Sequence, residues 1–318
     1  MASLRRAMTT PSAKRLKSSY VCQQMKGACG GGLRIARCSD ANHQNWLTRE
    51  RSRKEIACHA RAAYSPCGMA QPIPILVTGS SGRIGRAVVA ELQQRGHIVR
   101  GFDRTPSPDL DDCINGDLTD RDIIDGAMRG IDCLVHLAAT PDDADFLTEL
   151  LPNNLVGLFH VMESARAAGV KRIVLASSGQ VNWWQQQRGP FPVHPDDPPS
   201  PRSWYAATKI FAEAIGHGFA ESGNISVIVA RLGWCPRTLD QVAEIHADDW
   251  AKDIYLSPGD AGRFIACAVE ASAEIRHAVV HATSRPFAQT RLDLSPAAKL
   301  LGYEPQETWP QGIEVVRS

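Results

Sequence analysis

Tyr205 and Lys209 stand four residues apart in Trp204-Tyr205-Ala206-Ala207-Thr208-Lys209, and an apolar run earlier in the chain ends in Ala176-Ser177-Ser178. On a helix, positions four apart lie one above the other on a single face, so the phenol and the ammonium can act together. Free tyrosine ionises near about pH 10, too high for proton transfer at neutral pH, and a cation within a few ångströms favours the phenolate. A tyrosine, a lysine and a serine hydroxyl are therefore suited to moving a proton on and off a substrate hydroxyl. Taken alone, the same spacing also describes an exposed surface pair. Its meaning depends on the elements around it.

Those elements begin at Pro74-Ile75-Leu76-Val77-Thr78-Gly79-Ser80-Ser81-Gly82-Arg83-Ile84-Gly85. An apolar, β-branched run stops at a glycine, two more glycines follow at three-residue spacing, and a helical pattern opens with Ile84, Val88, Val89 and Leu92. Strand, tight turn and helix N-terminus together set a dinucleotide pyrophosphate on free backbone N–H groups. Gly79 permits the turn, Gly82 lets backbone approach phosphate, and Gly85 lets helix and strand pack closely. The segment His97 to Asp103 reads as the next strand, with Asp103 18 positions after Gly85. A carboxylate there accepts both ribose hydroxyls of NAD and repels the 2′-phosphate of NADP. Arg104 beside it could pair with that phosphate, so the pattern favours NAD; an ordinary exposed strand-end acid is the plainer alternative for Asp103. Asp117, in Gly116-Asp117-Leu118, could reach the adenine amino group or cap the helix that begins near Asp120.

Charge divides the chain. Of 35 basic and 34 acidic residues, the first 70 positions hold 13 and 3, which leaves 22 and 31 for the rest. The two segments thus carry about +10 and −9. Residues 1–70 also hold five of the nine cysteines and no strand-length apolar run. They lack the apolar stretch of a signal peptide or a membrane helix. We expect a disordered basic extension there. It fits an organelle transit peptide, an upstream translated region before Met69, or a nucleic-acid-binding tail. No C-x-x-C pair occurs, which argues against zinc. Cys113, Cys133, Cys235 and Cys267 read as core residues in a reducing compartment, so the expected location is cytoplasmic, or an organelle if residues 1–68 are a transit peptide.

From residue 71 the pattern alternates. Strands are expected at 73–78, 97–102, 113–115, 131–137, 171–177 and 225–231, and helices near 83–95, 120–128, 145–150, 153–168 and 204–221. Short apolar strands between amphipathic helices predict an α/β fold, a doubly wound parallel sheet of the Rossmann type, over 71–235. Gln180 to Pro201 breaks the alternation with six prolines and two tryptophans, as a substrate lid or as a rigid connector. After Arg231 the chain turns irregular. A helix at 259–271, a strand at 277–281 and a helix at 295–301 then make 236–318 a small substrate cap interwoven with the sheet domain.

These motifs occur in an order that resembles the extended short-chain dehydrogenase/reductases, the NAD-dependent epimerase/dehydratase family. The matching residues are the glycine turn, Asp103, Gly116-Asp117-Leu118, His136-Leu137-Ala138-Ala139, Asn154 with Gly157, Ser177-Ser178, and Tyr205 with Lys209. The resemblance implies NAD held by Gly79, Ser81, Gly82, Arg83, Ile84, Gly85, Asp103, Asp117, Leu118, Leu137, Ala138, Ala139, Asn154, Ser177, Tyr205 and Lys209. It implies Ser178 and Tyr205 at the reacting hydroxyl, with Tyr205 as acid/base. Lys209 would tune Tyr205 and bind the nicotinamide ribose, and Asn154 would hold the active-site helix through a backbone contact. Within the family, Asn154-Leu155-Val156-Gly157-Leu158, Arg231-Leu232-Gly233-Trp234-Cys235 and Leu300 to Pro305 are similar to the uronate dehydrogenase branch. Gly179-Gln180 and Trp234 depart from that branch and reshape the sugar pocket.

The expected activity is hydride transfer between NAD and a hydroxyl carbon of a sugar or sugar acid, with no metal, membrane or nucleic-acid partner. A nucleotide-sugar epimerase and a non-catalytic dinucleotide sensor are the alternatives. Dehydration is disfavoured, because Gly179 and Gln180 supply no acid/base pair. The helices at 153–168 and 204–221 carry more apolar residues than one buried face needs, and family members pair these helices across a two-fold axis. A homodimer is therefore expected.

Overall fold

Ile75 and Val77 lie on one side of strand β1 (Pro74–Thr78) and Leu76 on the other, each fully buried. A strand buried on both faces needs a layer of helices on each side. Residues 71–107 and 110–315 are described by a computed structural model of the chain, and the expected extension over 1–70 lies outside them. Seven strands among the described residues form one parallel sheet in the order β3-β2-β1-β4-β5-β6-β7. The other strands are β2 (Ile98–Asp103), β3 (Cys113–Asn115), β4 (Cys133–His136), β5 (Arg172–Ser178), β6 (Ser226–Leu232) and β7 (His277–Ala282).

Helices α1 (Arg83–Gln94) and α8 (Pro258–Glu270) cover the Ile75 face, joined by Val88, Leu92, Phe264 and Ile265. They approach closely, since a Cβ on Gly262 would lie 2.8 Å from the Ala87 carbonyl. The Leu76 face is covered by α2 (Arg121–Ala127), α3 (Gly157–Ala168) and α5 (Trp204–Ser222), through Ile124, Leu158, Val161 and Ala212. β7 and α8 both come from the 236–318 region, which thus shares the sheet and its core. Among the described residues no helix is long and apolar enough to cross a membrane, and Cys113, Cys133, Cys235 and Cys267 are unbonded.

Three expectations need correction. The helices at 145–150 and 153–168 are one continuous helical stretch. Its first part, Phe146–Val156, is π-helical: Leu150 N–H donates to Asp145 O and Gly157 N–H to Pro152 O, each five residues back. Pro152 has no N–H and would crowd the preceding turn of an α-helix, and the wider register absorbs it. The proline segment is not wholly irregular, because α4 (Trp183–Arg188) lies inside it. The chain after Arg231 also holds α6 (Leu239–Ala247) and α7 (Asp249–Asp253), capped by the side chains of Thr238 and Asp248. The last of the helices, α9 (Ser295–Leu301), lies where the sequence places it.

Candidate active site

The parallel order aligns the C-terminal ends of β1, β2, β4, β5 and β6, and the winding reverses between β1 and β4. Open sheets of this kind bind ligands in the crevice at that reversal. Here a cleft of about 570 Å³ opens between the β1 turn and the loops after β5 and β6.

At one end backbone geometry does the shaping. Gly79 has φ +75° and no room for a side chain, since a Cβ would sit 2.8 Å from the Ala138 nitrogen. A Cβ on Gly85 would lie 2.0 Å from the Gly79 carbonyl, so only glycine lets α1 start this close to β1. Gly82 is the exposed N-cap, and the N–H groups of Arg83, Ile84 and Gly85 have no intrahelical acceptor. Gly82, Arg83, Ile84 and Gly85 all line the cleft. Arg83 Nε is buried with no hydrogen-bond partner among the described residues, while its Nη2 donates to Gly312 O at 3.1 Å. An unpaired guanidinium donor beside free N–H groups fits a pyrophosphate.

Asp103 ends β2 on the cleft, its carboxylate held by the N–H groups of Ser81 at 3.1 Å and Thr105 at 3.0 Å. Each oxygen keeps acceptor capacity for a ribose hydroxyl. The Ser81 hydroxyl turns away from the cleft to Thr105 O (2.5 Å) and Ser107 Oγ (2.8 Å), fastening the turn to the end of β2. Asp117 accepts from Thr119 N–H at 2.8 Å, which holds its carboxyl below the usual range; the helix cap is Asp120, which accepts from Ile123 N–H. Leu118, Leu137, Ala138 and Ala139 form the middle wall. Asn154 does not line this cleft, although Asn153 does. Its amide donates to Thr140 O (3.0 Å) and to Thr208 Oγ (3.2 Å), and Thr208 in turn donates to Tyr205 O. The contact with the active-site helix is therefore to a side-chain hydroxyl.

At the other end α5 brings in the reactive groups. Ser203 caps the helix by accepting from Ala206 N–H, and Asp143 accepts from Tyr205 N–H at 3.4 Å. Ser178, Tyr205 and Lys209 line the cleft together, all nearly buried. Lys209 Nζ lies 5.6 Å from the Tyr205 ring centre and donates to Ala176 O at 3.1 Å. Burial pushes the Tyr205 phenol up to about 12, the Asp142 carboxylate adds to this, and Ser178 and Arg237 oppose it. The lysine was expected to lower this phenol. The protein groups alone do not achieve that, because burial penalises phenolate and ammonium alike. Burial also brings Lys209 down to about 8, against the pull of the Glu213 carboxylate. Behind the lysine, His136 is held neutral, down at about 3, by burial and by Lys209, with Nδ1 2.8 Å from Thr78 Oγ. The Ser177 hydroxyl points away to Glu213 at 2.5 Å.

Several lining residues were not singled out from the sequence. Asp142, at φ +59°, accepts from Arg237 and from Gln241 Nε2 (3.2 Å) across the cleft mouth. Trp183 stands beside the substrate end, packed edge-on against Trp250 at 5.1 Å and covered by the Arg202 guanidinium at 4.1 Å. Gln180 and Trp234, read as departures from the uronate dehydrogenase pattern, are on the same wall. A signal for Asp142 existed, since it follows the Leu137-Ala138-Ala139 strand end that faces the crevice.

Comparison with known proteins agrees with this architecture. The profile of the NAD dependent epimerase/dehydratase family matches residues 75–234. L-arabinose 1-dehydrogenase (NAD(P)(+)) of Haloferax volcanii is 31% identical over 257 residues, 76% of this chain and 99% of that protein. Uronate dehydrogenase of Pseudomonas syringae is 29% identical over 163 residues, 50% of this chain and 58% of that protein. The structure of uronate dehydrogenase from Agrobacterium tumefaciens superposes with TM-score 0.61 at 25% identity, covering 74% of this chain and 85% of that one, and a variant of it is solved with NAD. With the glycine turn, the strand-end aspartate and the serine, tyrosine and lysine on a single cleft, the chain belongs to the NAD-dependent epimerase/dehydratase family.

Proposed function

We propose that the chain is an NAD-dependent dehydrogenase of a sugar or sugar acid, with Tyr205 as its acid/base. The observation that carries this is the convergence of Ser178, Tyr205 and Lys209 with the glycine turn and Asp103 on one cleft. When bound, NAD supplies the hydride acceptor for the carbon being oxidised. Ser178 and Tyr205 hold the substrate hydroxyl, and Tyr205 takes its proton at Oη in the phenolate form. Lys209 places a positive charge near the phenol, which favours the phenolate that accepts the proton. Trp183 and Trp234 exclude water from the substrate side. A dinucleotide sensor would have no need of this serine, tyrosine and lysine.

Two arginines stand at the substrate end. Arg237 is engaged by Asp142, whereas Arg202 lies on Trp183 with no carboxylate partner among the described residues. Arg202 is thus the cation available to a sugar carboxylate. The test is NADH formation by residues 69–318 across uronic acids, neutral aldoses and nucleotide sugars. Turnover of a uronic acid or an aldose supports the reading; NAD binding without turnover of any sugar contradicts it.

The same helices support a homodimer. Leu158, Val161 and Met162 are core residues, but Phe159 (55%) on α3 and Trp204 (67%) with Phe211 on α5 are exposed, as are Leu147 (70%) and Val156 of the π-helical stretch. An apolar face of this kind is suited to a self-complementary two-fold contact. Light scattering at micromolar concentration is expected to give twice the chain mass, and a monomer with full activity contradicts the dimer. The unbonded cysteines fit a reducing, cytoplasmic setting.

A further inference from the structure

Glu213 lies one helical turn beyond Lys209 on α5 and is almost completely buried. Its carboxylate accepts from Ser177 Oγ at 2.5 Å and from Arg231 Nε and Nη2 at 2.8 Å each. Arg231, on β6 and equally buried, spends its remaining Nη1 on Asn182 Oδ1 (2.6 Å) and Pro195 O (2.9 Å). One ion pair therefore joins four pieces of the site. These are the strand end bearing Ser178, the helix face bearing Lys209, strand β6, and the segment from 182 to 195 that leads to the substrate wall. A buried pair of this kind gains little stability over well-packed apolar residues, because both ions must be desolvated. Its bidentate geometry instead fixes relative positions closely.

Resting on the proposed dehydrogenase reading, we propose that Glu213 and Arg231 form a positioning pair for the reaction, fixing Ser178, Lys209 and the substrate wall in one frame and setting a negative charge behind Lys209. The charged or titratable groups facing Lys209 are Tyr205 on its own helix, His136 on β4, and Glu213 with Arg231 of β6 behind it. His136 is neutral and Tyr205 is protonated at neutral pH, so Glu213 is the anion that keeps the ammonium charged. Removing it lowers the pH at which Lys209 loses its proton, starting from about 8. Activity that requires the ammonium then fails at lower pH.

The test compares the wild-type chain with Glu213→Gln, and with Glu213→Gln combined with Arg231→Gln, which leaves no orphaned buried charge should the single variant not fold. With whichever sugar is turned over, the alkaline limb of kcat is expected to move down by about one pH unit, about a fivefold loss at the wild-type midpoint, with NAD affinity within about threefold. Glu213→Asp is expected to return the limb toward its wild-type position. A lower melting temperature with the limb unmoved would make the pair merely structural and overturn the proposal. Should no sugar be turned over, the dehydrogenase reading fails by itself, and NMR titration of Lys209 in 15N-lysine-labelled protein decides the pair. An unmoved Lys209 midpoint in Glu213→Gln overturns it, and a lowered midpoint supports it.

Discussion

The two ends of the cleft are built by different means. The β1 turn end is shaped by backbone: Gly79 at positive φ, Gly85 against the Gly79 carbonyl, and strand ends that deliver Asp103 and Leu137-Ala138-Ala139. The substrate end is shaped by side chains from distant segments, among them Trp183, Arg202, Trp234, Arg237 and Asp142. Backbone demands admit few residue types, so the first end is constrained by the dinucleotide all such proteins share. Side-chain demands are met in many ways, so the second end is free to change with the substrate.

Substitutions can break that contrast. The largest effect on folding and cofactor binding is expected from Gly85→Ala, whose Cβ would sit 2.0 Å from the Gly79 carbonyl. The clash forces α1 away from β1, at a cost of about 1–3 kcal/mol or more in stability. NAD affinity measured by calorimetry should fall by at least about tenfold, as each 1.4 kcal/mol lost is a factor of ten. Unchanged affinity would show that the turn is not the pyrophosphate site. Next comes Trp234→Ser at the other end, which should leave NAD affinity intact while shifting the kcat/KM ratio between two sugars by about 10–200-fold, the range of a pocket-volume change. Equal loss for all sugars would remove Trp234 from specificity. The smallest effect is expected from Asp103→Ala, which should weaken NAD by about tenfold and NADP less, because only NAD gains from the ribose hydroxyl contacts. Equal loss for the two cofactors would mean that Asp103 serves only to hold Ser81 and Thr105.

The same contrast governs what could be read from the chain. Strand and helix positions along the sheet follow from short-range periodicity, and the glycine turn follows from local sterics, so both are legible without the structure. The Asp142–Arg237 contact joins residues 95 positions apart, and no local pattern announces it. The merging of the two helices around Pro152 turns on a register change that helical periodicity does not encode. The Tyr205 and Lys209 spacing predicts their shared face correctly, yet burial decides their proton affinities, with Asp142 adding to it at Tyr205 and Glu213 opposing it at Lys209, and these are products of the tertiary fold. Helices α6 and α7 carry readable caps at Thr238 and Asp248, but at nine and five residues they are too short for helical periodicity to mark them.

The central claim is that this cleft uses Tyr205 to move the proton of a sugar hydroxyl during NAD reduction. The most direct measurement is NADH formation by Tyr205→Phe beside the wild type on the best sugar of the panel, with NAD affinity measured for both. The account predicts NAD binding within about threefold and kcat lower by about 10² or more, the contribution of a positioned acid/base. An unchanged kcat in Tyr205→Phe would contradict it.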